Sequence, residues 1–430
     1  MSPLKPILMI YTLGILFFTF MFMQPFANES GIGFIDALFL SASGMSVTGL
    51  STIDITKELS VWGQLLLMVE FQVGGIGIMA FYTYVLFFVG RDFSISQLLV
   101  VSADQNQRNI KSIRKVAILI LLIVIVVEFL GFLFLYPIIS KENGTGMDSV
   151  FMATFHTVSS FTGAGFDLFG NSLMGFQENP IFLLISSVLI ILGVLGFPVI
   201  LDLLNVKKRK KTLFTKVNLF VHGVLLVFGF ILFLFSEWSR TFGELNVFDK
   251  MVNAWFLSVT SRNGGLTSID IGSVQVGTLM VLGVLMFIGA SSSSCGGGIR
   301  TSTFAVLISK LWAIARGKGE ATLFKKTIPN ETVERSFLIF FGFLGVFIFS
   351  VVLISFVEPF GIDKIAFEIL SALTTTGLST GVTDQLSSFT KVWMSLLMLV
   401  GRVGIIVWVY LFISEKKTKT KYIKEDIAVG

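Results

Sequence analysis

Ser46-Val47-Thr48-Gly49-Leu50-Ser51-Thr52-Ile53-Asp54 decides the fold, because three later stretches repeat it. The second is Phe161-Thr162-Gly163-Ala164-Gly165-Phe166-Asp167. The third is Arg262-Asn263-Gly264-Gly265-Leu266-Thr267-Ser268-Ile269-Asp270, and the fourth is Thr374-Thr375-Thr376-Gly377-Leu378-Ser379-Thr380. Aligned on Gly49, Gly165, Gly265 and Gly377, every glycine is followed by Leu or Phe, and the steps are 116, 100 and 112 residues. A lone Thr-Gly-Leu is common. Four such stretches at steps near a quarter of the chain define an internal repeat.

The surroundings of these stretches are apolar. Of 430 residues, 54% are hydrophobic and 14% charged, with a mean hydropathy of +0.86. A soluble chain carries about 25% charged residues, so a soluble enzyme, a disordered chain and a secreted disulfide scaffold are excluded. Phenylalanine outnumbers Trp and Tyr, 46 against 6 and 6, and has no polar group to satisfy in hydrocarbon. The net charge of +5 is too dilute for nucleic acid. One cysteine, Cys295, and two histidines, His156 and His222, leave no His/Cys metal site and no internal disulfide.

A helix needs about 20 mostly apolar residues to cross a bilayer. Eight stretches qualify: Ile7–Met23, Val61–Val89, Val116–Ile139, Ile181–Leu204, Val217–Ser236, Val276–Ile314 (interrupted), Ser336–Val357 and Val392–Ile413. No small-residue cleavage site follows the first, which therefore reads as a retained span. Between spans lie four shorter apolar stretches, Phe34–Met45, Asp148–Phe161, Asp249–Ser261 and Asp363–Thr375. Their length suits re-entrant segments. Asp36, Asp148, Asp249 and Asp363 stand at their starts, where a carboxylate caps free N–H groups and favours the positive helix end.

Each unit thus reads as span, short helix, glycine loop, span. The fold class that follows is an all-α polytopic membrane protein, with eight spans and four pore-helix repeats around a pseudo-fourfold pore. The repeats run 1–90, 91–204, 205–315 and 316–413, followed by a tail at 414–430. Basic residues crowd Arg91–Lys115, Lys207–Lys216, Arg300–Arg335 and Lys416–Lys424, after every second span, which puts both termini in the cytoplasm. The Lys207–Lys211 cluster is placed to touch anionic membrane lipid. Lys5 and the segments Arg91–Lys115, Asp202–Lys216, Arg300–Arg335 and Ser414–Gly430 hold 24 of the 32 basic residues but 9 of the 27 acidic ones. The remainder is net acidic, on the side where a cation would enter.

Non-helical backbone at membrane depth survives only where protein buries it or water wets it, so four such loops around one axis line a pore. Glycine opens backbone angles that Cβ forbids, and a ring of carbonyl oxygens replaces the hydration shell of a monovalent cation. The C-terminal ends of four short helices add negative dipole character there. Asp54, Asp167, Asp270 and Asp384 follow the loops, and carboxylates at a pore mouth concentrate cations.

The repeat resembles the Trk/Ktr/HKT superfamily of potassium transporters over nearly the whole chain, and is most similar to the bacterial Ktr-type membrane subunit. The resemblance implies selective K⁺ uptake, often Na⁺-stimulated, through a homodimer in the bacterial plasma membrane. It implies a cytosolic nucleotide-binding regulatory ring as partner, so that ATP or ADP acts only through that partner and no cofactor is bound by the chain itself. Gly49, Gly165, Gly265 and Gly377 match the family's filter glycines, flanked by Val47, Thr48, Ala164, Asn263, Gly264 and Thr376. Two loops depart from the family pattern: Asn263-Gly264-Gly265 replaces Thr-Ala-Gly, and Thr162-Gly163-Ala164-Gly165 replaces Asn-Asn-Ala-Gly.

The sixth span is interrupted by Gly289-Ala290-Ser291-Ser292-Ser293-Ser294-Cys295-Gly296-Gly297-Gly298-Ile299-Arg300, which cannot continue a straight helix. Broken helices sit at permeation paths. The Gly-Lys-Ser/Thr ending of a phosphate loop is absent. The resemblance implies a gate loop here, at Ser292, Ser293, Ser294, Cys295, Gly296, Gly297 and Gly298. Arg402 lies inside the last span, where an arginine costs about 2.5–3.5 kcal/mol, so it should face the pore or a carboxylate. The resemblance makes it a barrier and gate contact. Glu70 and Glu128 are also intramembrane; Glu70 is expected to meet a basic group and Gln72 the gate loop. No nucleophile–base pair or Walker loop is visible, so the chain is read as a non-enzyme. The alternatives are a sodium-conducting or Na/K-cotransporting relative, and a broken-helix secondary transporter for a small solute, which would show twofold repetition.

Overall fold

The computed structural model describes residues 4–77, 113–205, 210–405 and 407–408. The ends of the second and eighth apolar stretches, the tail at 414–430, and most of the basic segments 91–115 and 207–209 lie outside the described residues.

The helices follow the repeat. The first quarter holds α1 (Leu4–Phe22), α2 (Phe34–Ser46), the single turn α3 (Ile55–Glu58) and α4 (Val61–Ile76). The second holds α5 (Ile113–Asn143), α6 (Met147–Thr162), α7 (Pro180–Leu195) and α8 (Phe197–Leu204). The third holds α9 (Leu213–Glu237), α10 (Val247–Thr260), α11 (Val276–Phe287) and α12 (Thr301–Ala315), and the fourth α13 (Asn330–Ser355), α14 (Ile362–Thr374) and α15 (Ser388–Val403). A two-residue hairpin, β1 (Thr322–Leu323) with β2 (Lys326–Thr327), joins α12 to α13. Its turn residues Phe324 and Lys325 both have positive φ, as a two-residue hairpin requires.

Among the described residues, α9, α13 and Ile118–Glu142 within α5 are long and apolar enough to cross a membrane. The bent pair α7–α8 adds a fourth candidate. These helices present Phe129, Phe134, Phe220, Phe228, Phe341 and Phe349 outward, apolar side chains that water would not tolerate but lipid does.

Packing is cyclic. In each quarter the first long helix lies on its own short helix: α1 on α2, α5 on α6, α9 on α10, α13 on α14. The helix after each glycine loop then packs on the short helix of the next quarter: α4 on α6, α7 on α10, α11 on α14, and α15 back on α2. An ion pair across this last seam, Lys391 Nζ to Asp36 Oδ1 at 2.8 Å, ties the last quarter to the first. The four largest hydrophobic clusters of the core lie one behind each short helix.

The expected Asp caps are corrected. Asp36, Asp148, Asp249 and Asp363 lie in the first turn rather than at the N-cap, which is held by Gly33, Gly146, Asn246 and Gly361. Only Asn246 caps with its side chain, accepting from the Asp249 N–H. The aspartates keep their favourable place at the positive helix end.

Candidate functional site

The four short helices end within a few residues of the four glycines, and three of them share one cap. In α2, α6 and α14 the chain turns left-handed at Val47, Gly163 and Thr375, with φ of 59°, 71° and 52°. The N–H groups of Thr48, Ala164 and Thr376 then bond back to the carbonyls of Ser43, Ser159 and Ser371 at 2.8–2.9 Å. This closes the orphan carbonyls of each helix end. The third helix ends two residues earlier relative to its glycine, at Thr260; the Gly264 N–H bonds to the Thr260 carbonyl at 2.8 Å, and Asn263 takes the same positive φ, 64°. Gly49, Gly165, Gly265 and Gly377 follow two residues later, again with positive φ, at 98°, 72°, 71° and 91°. Each loop therefore carries positive φ at two residues, on either side of one without it: Thr48, Ala164, Gly264 or Thr376. The set needs glycine at its last position, because a side chain there costs about 1–2 kcal/mol.

Conformation is only half of the requirement; the four glycines also meet. A Cβ on Gly49 would lie 2.5 Å from the Ala164 carbonyl oxygen and 2.9 Å from Gly165 Cα. One on Gly165 would lie 2.8 Å from Gly265 Cα, one on Gly265 2.7 Å from the Thr376 oxygen, and one on Gly377 2.0 Å from the Thr48 oxygen. The contacts run loop 1 to 2 to 3 to 4 and back to 1, a closed ring of backbone. The sequence departures are accommodated within it. Asn263 Nδ2 donates to the carbonyls of Thr374 (2.6 Å) and Thr375 (3.0 Å), tying loop 3 to loop 4. Gly163 faces the Asn263 carbonyl too closely for any side chain, 2.3 Å from a would-be Cβ.

Side chains brace the ring from behind. Ser43 and Ser371 hydroxyls accept from the N–H of Gly49 and Gly377 at 3.0 Å, and the Ser159 hydroxyl donates to the Phe166 carbonyl at 2.6 Å. Sequence reading missed these serines, six residues before their glycines in an otherwise apolar helix; that recurring spacing is the signal that would have found them. It also missed Gly74, Gly193 and Gly401, whose missing side chains let the following helices lie on the carbonyls of Met45, Phe161 and Leu373.

Above the ring is a cavity of about 460 Å³ with Gly49 and Gly165 at its floor, lined by Asp54, Asp167, Asp384 and Glu58. Three of the four expected acids meet there; Asp270 is not among its lining residues and caps a short turn by accepting from the Gly272 N–H at 2.9 Å. The Lys57 ammonium, 2.7 Å from Asp54, and the Thr56 hydroxyl hold the Asp54 carboxyl below the usual carboxylate range. Burial pushes the Asp167 carboxyl above it, against the N–H groups of Phe169 and Gly170 at 2.9 Å.

Below the ring, the segment between α11 and α12 lies directly under loops 3 and 4. Would-be Cβ atoms on Gly296 and Gly297 fall 2.7 Å from Asn263 Cβ and 2.5 Å from Thr375 Oγ1. The segment adds no helix. It is sewn to α7 through Ser291 N to Val194 O (3.1 Å) and Cys295 N to Gly193 O (3.3 Å), and Phe197 N returns a bond to Ser293 O (3.2 Å). Arg402 reaches across from α15, donating from Nη1 to the Cys295 carbonyl and from Nη2 to the Gly74 carbonyl, with Nε 3.4 Å from the Tyr11 hydroxyl. The structure thus brings Arg402 and Cys295 together beneath the ring. Two expectations fail. Glu70 accepts from Ser41 Oγ at 2.6 Å rather than from a basic group, because it faces the back of α2. Gln72 Nε2 donates to Glu128 Oε1 at 2.7 Å, since its side of α4 faces α5 rather than the loop.

The chain's relatives match this architecture. The family model TrkH, described as cation transport protein, matches residues 13–421. The Ktr system potassium uptake protein D of Bacillus subtilis is 33% identical over 100% of this chain and 98% of its own length. The potassium/sodium uptake protein NtpJ of Enterococcus hirae is 34% identical over the same shares. The crystal structure of the potassium transporter TrkH from Vibrio parahaemolyticus superposes with a TM-score of 0.76 over 96% of this chain and 85% of that one, at 17% identity, a likeness of fold. A closed ring of four glycine loops under an acidic vestibule, in a chain matched over nearly its whole length, places this protein in the TrkH family of cation transport proteins, a family of transporters and not of enzymes.

Proposed function

We propose that the chain is the translocation subunit of a potassium uptake system, crossing the plasma membrane eight times with both termini in the cytoplasm. In this reading α2, α6, α10 and α14 are re-entrant pore helices. The ring of Gly49, Gly165, Gly265 and Gly377 is the selectivity filter, with Val47, Thr48, Ala164, Asn263, Gly264 and Thr376 supplying its carbonyls. The observation that carries the reading is the ring itself: four loops of one conformation, each leaving no room for a side chain at its glycine. Carbonyls crowded around one axis at the negative ends of four helices suit a dehydrated monovalent cation. The segment Ser292–Gly298 with Arg402 is the gate, a reading supported by the packing of Gly296 and Gly297 against loops 3 and 4 and by the Arg402 bond to Cys295. The chain works as a homodimer with a cytosolic nucleotide-binding partner, a reading supported by relatives named as parts of a Ktr system.

Sodium conduction or sodium-coupled uptake is the second reading, favoured by the potassium/sodium name of the Enterococcus relative. The twofold secondary transporter is disfavoured by the cyclic fourfold packing. Growth at low K⁺ in a host stripped of its own importers tests the first reading. The chain with its partner restores growth, and isotope fluxes of K⁺ and Na⁺ separate the two cations. Gly49→Ser and Gly377→Ser are expected to lose discrimination between them. Discrimination equal to wild type in either variant would remove the filter assignment.

A further inference from the structure

We propose that Arg262 is a positioning residue that latches the start of the gate loop to the third filter loop. The inference rests on the gate reading above and extends it to a residue outside the segment. Arg262 is fully buried, at 0% exposure, one residue beyond the α10 cap Ser261. Its Nη2 donates to the Gly289 carbonyl at 2.6 Å, and its Nε and Nη1 have no partner among the described residues. Nearby His222 of α9 is buried at 3% exposure with both ring nitrogens likewise unpartnered.

A buried guanidinium is costly unless its hydrogen bonds are made. Here the bond it makes goes to the first carbonyl of the interrupted segment, just beyond the end of α11 at Phe287. That carbonyl lies on a buried residue just past the α11 C-cap, Ile288, where a backbone acceptor needs a donor. Each group solves the other's problem only while the loop stays in place. Arg402 does the same for the middle of the loop, at Cys295, from the fourth quarter. Thr301, the first residue after the loop, closes the far end by bonding Asn218 of α9.

The neighbour of Arg262 passes the restraint to the filter. Asn263 packs on Gly296 and bonds the Thr374 and Thr375 carbonyls of loop 4. Loop displacement therefore strips Arg262 of its acceptor and loosens the contact under two filter loops at once. The latch favours the closed arrangement and couples its release to the ring.

Cys295 makes the test direct, being the sole cysteine, wholly buried, and within the loop. The probe is methyl methanethiosulfonate applied to the full chain with its partner in liposomes, with Cys295 modification followed by mass. Arg262→Gln is expected to speed modification at least about tenfold, the factor that losing one charge-assisted hydrogen bond implies. Arg262→Lys, which keeps a cationic donor, is expected to fall between Gln and wild type. A wild-type rate in monodisperse Arg262→Gln protein would overturn the latch. If neither variant accumulates as monodisperse protein, Arg262 is a folding residue and the proposal also falls. Potassium flux supplies the second readout. Arg262→Gln should raise flux in the intact chain and add nothing once Ser292–Gly297 is deleted; an equal effect in the deleted background overturns action through the loop. If the deletion itself leaves flux unchanged, the gate reading fails, while the labelling rates still decide the latch.

Discussion

The glycine ring and the layer of helix breaks beneath it are built by the same fourfold repeat, yet they treat symmetry in opposite ways. In the ring, all four quarters converge on one conformation despite different residues: Val47, Gly163, Asn263 and Thr375 all turn left-handed, and all four glycines follow. In the layer below, three quarters share one device. The helices α4, α7 and α15 end at Gly77, Gly196 and Gly404, with φ between 85° and 93° and ψ between 129° and 139°. The third quarter replaces that single glycine with a segment running from Ile288 to Arg300. A site that surrounds one cation needs four equal walls. In the reading proposed above a gate needs only one wall to move, and the extra length is confined to one.

The sharpest way to break this contrast is to place the same side chain at both levels. Gly377 and Gly404 have nearly the same φ, 91° and 88°, so alanine is strained about equally at both, by about 1–2 kcal/mol. Their surroundings differ: a Cβ at 377 falls 2.0 Å from the Thr48 oxygen, while one at 404 meets nothing within 4 Å among the described residues. Gly377→Ala is expected to abolish selective potassium uptake, with Gly404→Ala keeping selectivity at reduced thermal stability. Equal loss in both, measured as K⁺ and Na⁺ fluxes, would mean that strain, not ring geometry, carries the function.

Next in size is removal of the asymmetry itself. Deleting Ser292–Gly297 is expected to raise flux by about tenfold or more while leaving K⁺/Na⁺ discrimination intact, since the ring keeps its own caps and braces. Unchanged flux in monodisperse protein would count against the gate.

Much of this was legible in the sequence, and the reason is the repeat. The four glycines, the interruption between α11 and α12 and Arg402 stand out because apolar helices make any polar or glycine-rich stretch conspicuous. Ser43, Ser159 and Ser371 were not legible as braces, because a serine in a membrane helix also satisfies itself on its own backbone, as Ser187 does on Leu183. The breaks at Gly77, Gly196 and Gly404 were hidden for a related reason: one glycine in a long apolar run reads as close packing. The partners of Glu70 and Gln72 depend on which side of α4 each faces, and an α4 apolar on every side carries no such information. The Asp residues read as caps sit two or three residues past the N-caps, a shift within the usual uncertainty of helix starts read from sequence.

Gly196 tests how the two kinds of break cooperate. Its φ is 85°, and a Cβ there would fall 2.9 Å from the Ser292 oxygen and 3.3 Å from the Ser293 oxygen. The short break of the second quarter thus supports the long segment of the third. Gly196→Ala is expected to raise flux severalfold, less than the deletion and more than Gly404→Ala, because it displaces the segment without removing it. An effect no larger than that of Gly404→Ala would show that the segment does not depend on this break for its position.

The smallest expected effect lies above the ring, where symmetry again fails. Asp54 and Asp167 share the vestibule, but the Lys57 and Thr56 contacts hold the Asp54 carboxyl below the usual range while burial pushes the Asp167 carboxyl above it. On acidification Asp167 is therefore the first of the two to lose its charge, and Asp54 keeps its own below the ordinary carboxylate range. Cation attraction at the mouth should weaken as pH falls through the raised Asp167 pKa. The apparent KM for K⁺ is expected to rise there by a small factor, with the maximal rate unchanged, because the ring itself does not titrate. Asp167→Asn should hold KM at the raised value across that window and flatten its pH dependence, whereas Asp54→Asn should leave the dependence in place. A wild-type pH profile in Asp167→Asn would assign the vestibule's attraction to another group, and Glu58, which lines the same cavity, is the next to replace.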